Sequence, residues 1–180
     1  GLAIWSARRM GAAARPVLCG LLTSPEENTR KHAAFALASM GDAAALPQLR
    51  ESFGVPVWLA QGDAVQFGLV AENAYTEEAL VFGDLTLQPL AAPGHTPGST
   101  CLVCGNVVFA GDTLFAGSVG RTDLPGGDSA ALCATLVRLM QVLSPELQIL
   151  PGHGEFSTVA QEKLSNPYVR YALRNPQGSF

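Results

Sequence analysis

Between Leu85 and Asp112, short apolar runs alternate with tight, glycine-flanked bends, a spacing that suits a β-sheet and not a helix. Leu85-Thr86-Leu87-Gln88 alternates as a half-buried strand does and leads to the bend Pro93-Gly94-His95-Thr96-Pro97-Gly98-Ser99. Thr100-Cys101-Leu102-Val103-Cys104 and Val107-Val108-Phe109-Ala110 read as two strands joined at Gly105-Asn106, with Asp112 just past the second. A later apolar run, Leu147-Gln148-Ile149-Leu150, stops one bend before His153 in Pro151-Gly152-His153-Gly154. Three strand ends therefore carry His95, Asp112 and His153. This nitrogen and oxygen donor set suits Zn, Mn or Fe rather than a thiolate-preferring metal. A single histidine after a strand more often hydrogen-bonds within its turn, so the argument for ligation rests on the set.

The surrounding elements follow from pattern. Asp63 to Ala74 reads as a helix, and Ala79 to Gly83 with Leu85 to Leu90 as a strand pair around Gly83-Asp84. Phe115 to Asp128 is glycine-rich and long enough to cover a site mouth; its Arg121 and Asp123 are expected to pair with each other or, alternatively, to position substrate. Ser129 to Ser144 is an amphipathic helix with Leu132, Leu136, Leu139, Met140 and Leu143 on one stripe, Cys133 beside it and Pro145 after its end. A last helix near Thr158 to Lys163 precedes Asn166-Pro167-Tyr168 and a polar tail.

The bends Pro93 to Ser99, Gly111-Asp112-Thr113-Leu114-Phe115, Gly120-Arg121-Thr122-Asp123, Pro151-Gly152-His153-Gly154 and Asn166-Pro167 resemble, in order and spacing, the C-terminal half of a metallo-β-lactamase-fold hydrolase of the glyoxalase II-like branch. The resemblance covers residues 53 to 180. It implies an α/β fold, one half of an αββα sandwich. It also implies that His95 completes one metal site, that His153 completes a second, and that Asp112 is the catalytic carboxylate bridging both. The implied chemistry is attack on a thioester or related ester by a metal-bound hydroxide, with zinc as the ion and iron or manganese as alternatives; a sister branch oxidises glutathione persulfide with a single iron. The family's other ligand cluster, His-x-His-x-Asp-His, does not occur. The chain has only three histidines, His32, His95 and His153, too few for the two-ion site. One ion at most and impaired activity are the expectation.

Residues 1–52 read differently. They are alanine-rich with few β-branched residues, which favours helix. Met10-Gly11-Ala12-Ala13 and Pro16-Val17-Leu18 recur as Met40-Gly41-Asp42-Ala43 and Pro47-Gln48-Leu49, a period of roughly thirty residues, in the range of helical solenoids. Ser24-Pro25-Glu26-Glu27 opens a helix between them with an N-cap, a proline in the first turn and acidic residues against the dipole. The segment resembles short HEAT repeats. The competing reading is a helical hairpin whose alanine face packs on the sheet, and in either His32 is a helix-surface residue. Glu26, read as a stand-in for a missing metal ligand, is better explained by the helix start. Near Trp5, Arg8-Arg9 breaks any transmembrane span. The repeat gives way to β-like sequence at Phe53-Gly54-Val55-Pro56-Val57, which sets the boundary. Because the first residue is not Met, the chain is expected to begin inside a longer protein, and a fusion or fragment is expected overall.

Composition narrows the function classes. At 48% hydrophobic and 14% charged residues the chain can bury a core. A net charge of −4 without a Lys/Arg cluster excludes a nucleic-acid partner. The four cysteines include one Cys-x-x-Cys without the second pair a zinc ribbon needs, so a reduced cytoplasmic chain is expected. Two functions stand: a metal-dependent hydrolase of a small-molecule thioester or ester, or a non-catalytic module that meets a protein partner through its N-terminal helices. With half a sandwich, an apolar sheet face lacks its facing layer, so marginal stability or self-association is expected.

Overall fold

The computed structural model describes residues 14–39, 45–54, 58–68, 73–74 and 76–180. Trp5, Arg8-Arg9, the repeat's Met10–Ala13 and Met40–Ala43, and Val55-Pro56-Val57 lie outside the described residues. The chain divides into two compact units, residues 1–58 with 71–73 and residues 59–70 with 74–180. The division runs through two short paired strands, β1 (Trp58–Leu59) and β2 (Asn73–Ala74).

The described residues of the first unit up to Gly54 form helices and their turns. α1 (Arg15–Leu21) carries a proline in its first turn, where the missing N–H would have had no intrahelical partner. At the entry to α2 (Glu27–Ser39), Ser24 Oγ accepts from the Glu26 N–H at 3.3 Å, and Glu27 pairs with Lys31 one turn on at 2.6 Å. α3 (Leu46–Phe53) ends at Gly54, whose left-handed φ of 59° lets its N–H close on the Arg50 carbonyl at 2.8 Å. Consecutive helices pack around Ala34, Leu37 and Ala45, with Leu18, Cys19 and Leu22 against them. Alanine at these contacts brings helices close but buries little apolar area. His32 is exposed on α2, as a helix-surface residue should be.

The second unit is built on a six-stranded sheet of order β10-β9-β6-β5-β4-β3. Its strands are β3 (Leu80–Phe82), β4 (Leu85–Ala91), β5 (Thr100–Cys104), β6 (Val107–Gly111), β9 (Gln148–Pro151) and β10 (Ser157–Thr158). β3 to β6 form an antiparallel meander. β9 then lies parallel to β6, which requires a crossover, and the helix α5 (Ser129–Val142) lies within it. Register pairs Val103 with Val108 and Val108 with Ile149, placing them with Leu90 and Cys101 on the face that packs Cys133, Leu136, Leu139 and Met140 of α5. Val159 of α6 (Val159–Ser165) and Val169 and Ala172 of α7 (Pro167–Arg174) complete this core. On the opposite face Leu102, Phe109 and Leu150 are in register, and Phe109 is 43% exposed.

Three elements differ from the sequence expectation. The helix placed at Asp63 to Ala74 is α4 (Gln61–Phe67): Gly68 turns left-handed at φ 61° and ends it, and Asn73–Ala74 is strand. α5 stops at Val142 because Leu143 is extended, two residues before Pro145. The polar tail contains α7, capped by Asn166, whose Oδ1 accepts from Tyr168 N at 2.9 Å and Val169 N at 3.3 Å.

Candidate metal centre

The bend carrying His95 is pinned from three sides. Asp63 of α4 accepts from the Gly98 N–H at 2.7 Å and from Thr96 Oγ1 at 3.0 Å. Ser99 Oγ accepts from Thr96 N at 3.0 Å, and Thr135 Oγ1 of α5 donates to the Pro93 carbonyl at 2.8 Å. Gly94 allows the approach of α5, since a Cβ there would stand 2.4 Å from Leu132 Cβ. From this fixed bend, His95 Nδ1 meets the Arg121 carbonyl oxygen at 2.8 Å. A carbonyl only accepts, so Nδ1 carries the proton and Nε2 keeps its lone pair in the neutral ring. That lone pair faces Asp112 Oδ2 at 3.7 Å.

Asp112 sits one residue beyond Gly111, which leaves β6 at a left-handed φ of 52°. Two neighbours make room for it by lacking side chains: a Cβ on Gly152 would lie 2.2 Å from Asp112 Oδ1 of the carboxylate, and one on Gly120 would lie 1.7 Å from the Asp112 backbone carbonyl oxygen. Gly152 N donates to the Gly111 carbonyl at 2.8 Å, tying the end of β9 to that of β6. His153 follows, its Nε2 3.4 Å from Asp112 Oδ2 and its ring edge-on to Phe115, with centroids 6.1 Å apart. The side chains of His95, Asp112 and His153 are 19%, 31% and 68% exposed.

Two donors on one tetrahedral ion, each bonded at about 2.0–2.1 Å, stand about 3.3–3.4 Å apart. The spacings of 3.7 and 3.4 Å are near that edge, and a lone pair aimed at a carboxylate is repulsive unless a cation or proton lies between them. The donor set therefore fits a divalent metal. Among the described residues, no three His, Cys, Asp or Glu side chains gather tightly enough to hold an ion between them. The arrangement is two His–Asp pairs sharing one oxygen.

Residues 43–153 match the metallo-beta-lactamase superfamily, and residues 1–66 match HEAT repeats. The chain belongs to the metallo-β-lactamase superfamily. It is 33% identical over 143 residues to the hydroxyacylglutathione hydrolase GloC of Haemophilus influenzae, covering 68% of each chain. It is 31% identical to the probable metallo-hydrolase YqgX of Bacillus subtilis, covering 69% of each. Against relatives from Aquifex aeolicus and Mycobacterium leprae it spans less than half of their length, 42% and 44%. Among solved structures, TTHA1623 in a di-iron-bound form superposes with a TM-score of 0.57 at 37% identity over 68% of this chain and 69% of that one. ETHE1 from Myxococcus xanthus gives 0.60 at 28% identity over 73% and 63%. The superfamily match and the HEAT match overlap over residues 43–66.

Arg121 and Asp123 pair with each other as expected, in a two-pronged contact of 2.7 and 2.6 Å. The hydrogen-bonded guanidinium holds the Asp123 carboxyl down at about 2. Sequence reasoning missed the part played by the Arg121 carbonyl, and it missed Asp63. A backbone acceptor carries no residue-type signal, and Asp63 read only as a helix-opening residue.

Proposed function

We propose that this chain is a metal-dependent hydrolase of the glyoxalase II-like kind, acting on a thioester or related ester, with residues 53–180 as its hydrolase part. His95, Asp112 and His153 are its reduced ligand set, for one zinc ion or for iron or manganese in its place. Its activity is weakened, because no His-x-His-x-Asp-His run stands elsewhere in the sequence. The observation that carries this reading is the placement of Asp112 Oδ2 within 3.7 Å of one Nε2 and 3.4 Å of the other. Similarity to a hydroxyacylglutathione hydrolase supports the ester class.

A divalent ion, when bound, supplies Lewis acidity that makes water nucleophilic at neutral pH and polarises the carbonyl under attack. The chain's own residues set the rest. Arg121 O accepts a hydrogen bond from His95 Nδ1–H and so presents Nε2. Gly152 leaves the space in which Asp112 turns its carboxylate toward both rings, and Gly120 leaves room for the Asp112 backbone carbonyl. His153 and Phe115 form one open wall, so a substrate reaches Asp112 from bulk solvent. Among the described residues no helix is long and apolar enough to cross a membrane, and Cys19, Cys101, Cys104 and Cys133 are free thiols, which supports a cytoplasmic setting.

Elemental analysis tests this directly, on protein grown with zinc, manganese and iron beside a His95→Ala/His153→Ala variant. About one ion per chain, lost in the variant, is expected for three protein ligands with an open position. Metal-free protein in both cases would overturn the hydrolase reading. It would leave the second reading, favoured by the HEAT match over residues 1–66: an interaction module whose N-terminal helices meet a protein partner, or a second copy, beside a vestigial site in a fused gene product.

A further inference from the structure

Glu162 on α6 and Asn166 at the start of α7 are 1% and 0% exposed. A buried carboxylate must have its lone pairs met, and Glu162 meets them with neutral donors. Its Oε2 accepts from Gly117 N and from Asn166 Nδ2, each at 2.8 Å, and its Oε1 accepts from the Ser157 hydroxyl. Asn166 Nδ2 also donates to the carbonyls of Phe115 at 3.3 Å and Ser118 at 3.0 Å. Capping α7 explains the Oδ1 of Asn166 but not this second set of bonds. The two side chains grip one turn, Phe115-Ala116-Gly117-Ser118, at three backbone groups.

That turn joins β7 (Leu114–Phe115) to β8 (Ser118–Val119), and every residue of the candidate centre is referenced to this hairpin. Asp112 is separated from β7 only by Thr113, itself 1% exposed. Arg121, two residues past β8, offers the carbonyl that holds His95 Nδ1 at 2.8 Å. Phe115 sets its ring against His153. Two-residue strands do not hold a hairpin by themselves, so its position depends on what grips it from outside. We propose that Glu162 and Asn166 are positioning residues that hold the 114–119 hairpin so that His95, Asp112 and His153 face one another. The proposal rests on reading those three as ligands.

The test uses the full chain with three variants. Asn166→Ser keeps an oxygen to cap α7 but cannot reach the hairpin. Glu162→Leu keeps a side chain of similar bulk but offers no acceptor to Gly117 or Asn166. Val169→Ala thins the α7 core and removes none of the hydrogen bonds that Glu162 and Asn166 make to the hairpin. For each, the thermal midpoint is measured, together with the side-chain 15N shifts of His95 in metal-free protein, which report the Nδ1–H tautomer, and cobalt(II) binding by its visible absorption. Asn166→Ser and Glu162→Leu are expected to lose the single His95 tautomer and to bind cobalt about tenfold to hundredfold more weakly. Val169→Ala is expected to lower the midpoint at least as much and to change neither readout. Wild-type tautomer and affinity in Asn166→Ser, or equal shifts in Val169→Ala, would overturn the proposal. Should wild type take up no cobalt, the ligand reading falls, while the His95 shifts still decide the clamp. Should Asn166→Ser not fold, Ser157→Ala removes one bond to Glu162 and is read in the same way, with the same outcomes deciding.

Discussion

Gly152→Ala separates the geometry of the centre from the stability of the fold. Gly152 is not among the positive-φ glycines, so alanine meets no backbone strain there. Its new Cβ would stand 2.2 Å from Asp112 Oδ1 and 3.2 Å from the Gly111 carbonyl group. Carbon and oxygen settle at about 3.3 Å or more, so the carboxylate must move by about 1 Å. The atom that yields is the end of a side chain that turns freely, so the expected loss of stability is about 1 kcal/mol, at the low end for overpacking. The same movement displaces the oxygen shared by His95 and His153, and metal affinity should fall about tenfold to hundredfold, or about 1.4–2.8 kcal/mol. The assay is a cobalt or zinc titration beside a thermal melt. Gly154→Ala serves as the contrast: its φ of 84° strains alanine, yet nothing lies within 4 Å of the added Cβ. That variant should lose about 1–2 kcal/mol of stability and keep its metal site. Unchanged affinity in Gly152→Ala, or a loss matched by Gly154→Ala, would refute the steric account of why Asp112 faces the histidines.

Other outcomes follow from the same contacts. Asp63→Ala should loosen the His95 bend, with faster amide exchange at Gly98 and a loss of about 1.5–3 kcal/mol for charged hydrogen bonds, while protected exchange at Gly98 would count against it. Asp123 has its folded pKa lowered from 3.8 to about 2, so its pairing with Arg121 is intact above about 3.8 and is lost as pH falls through about 2; carboxyl 13C shifts should titrate with that low midpoint in wild type and move up in Arg121→Ala. Burial pushes the Cys101 thiol from 9.0 up to about 11, so its protonated form favours the fold below about pH 9 and that contribution fades as pH rises toward 11. Folded protein should accordingly show a slow-reacting Cys101 beside a faster, half-buried Cys104 with a disulfide reagent, and equal rates would contradict this. Sedimentation should show self-association, given Phe109 at 43% exposure on the sheet face opposite α5; a strictly monomeric chain with a sharp, concentration-independent transition would argue otherwise.

The sheet was legible because period-two alternation and turn pairs are local: Leu85 to Ala110 folds as the meander its spacing implies, with Gly105-Asn106 at the hairpin. The corners were legible because glycine flanks mark them, and the structure does bring His95, Asp112 and His153 together. What stayed hidden depends on distant partners. The parallel pairing of β9 with β6 is set by the α5 crossover, not by anything within Gln148–Pro151. α7 went unread although Asn166 before Pro167 is a helix-start signal and Val169 and Ala172 recur three residues apart on its buried face. Asp63 and Glu162 work through backbone groups 35 and 45 residues away, and a single sequence carries no mark of such bonds.

The number of ions follows from charge as well as from ligand count. Two divalent ions spaced about 4 Å apart, as in paired sites, repel by about 17 kcal/mol at an effective dielectric of about 20. A two-ion site offsets that with several anionic groups, whereas the carboxylate that the two histidines share here is Asp112 alone. One ion is therefore the expected loading, and the two His–Asp pairs would compete for it. They do not compete equally. His95 is 19% exposed and fixed through Nδ1 to Arg121, while His153 is 68% exposed and held chiefly by its edge contact with Phe115. A ligand already oriented loses less conformational entropy on binding. The ion should form on the His95–Asp112 pair, with His153 turning to join it. His95→Ala should then weaken cobalt binding more than His153→Ala, by about tenfold if one rotamer-rich side chain is the difference. Equal losses, or a titration that saturates at two ions per chain, would show that the site gathers charge from residues beyond these three.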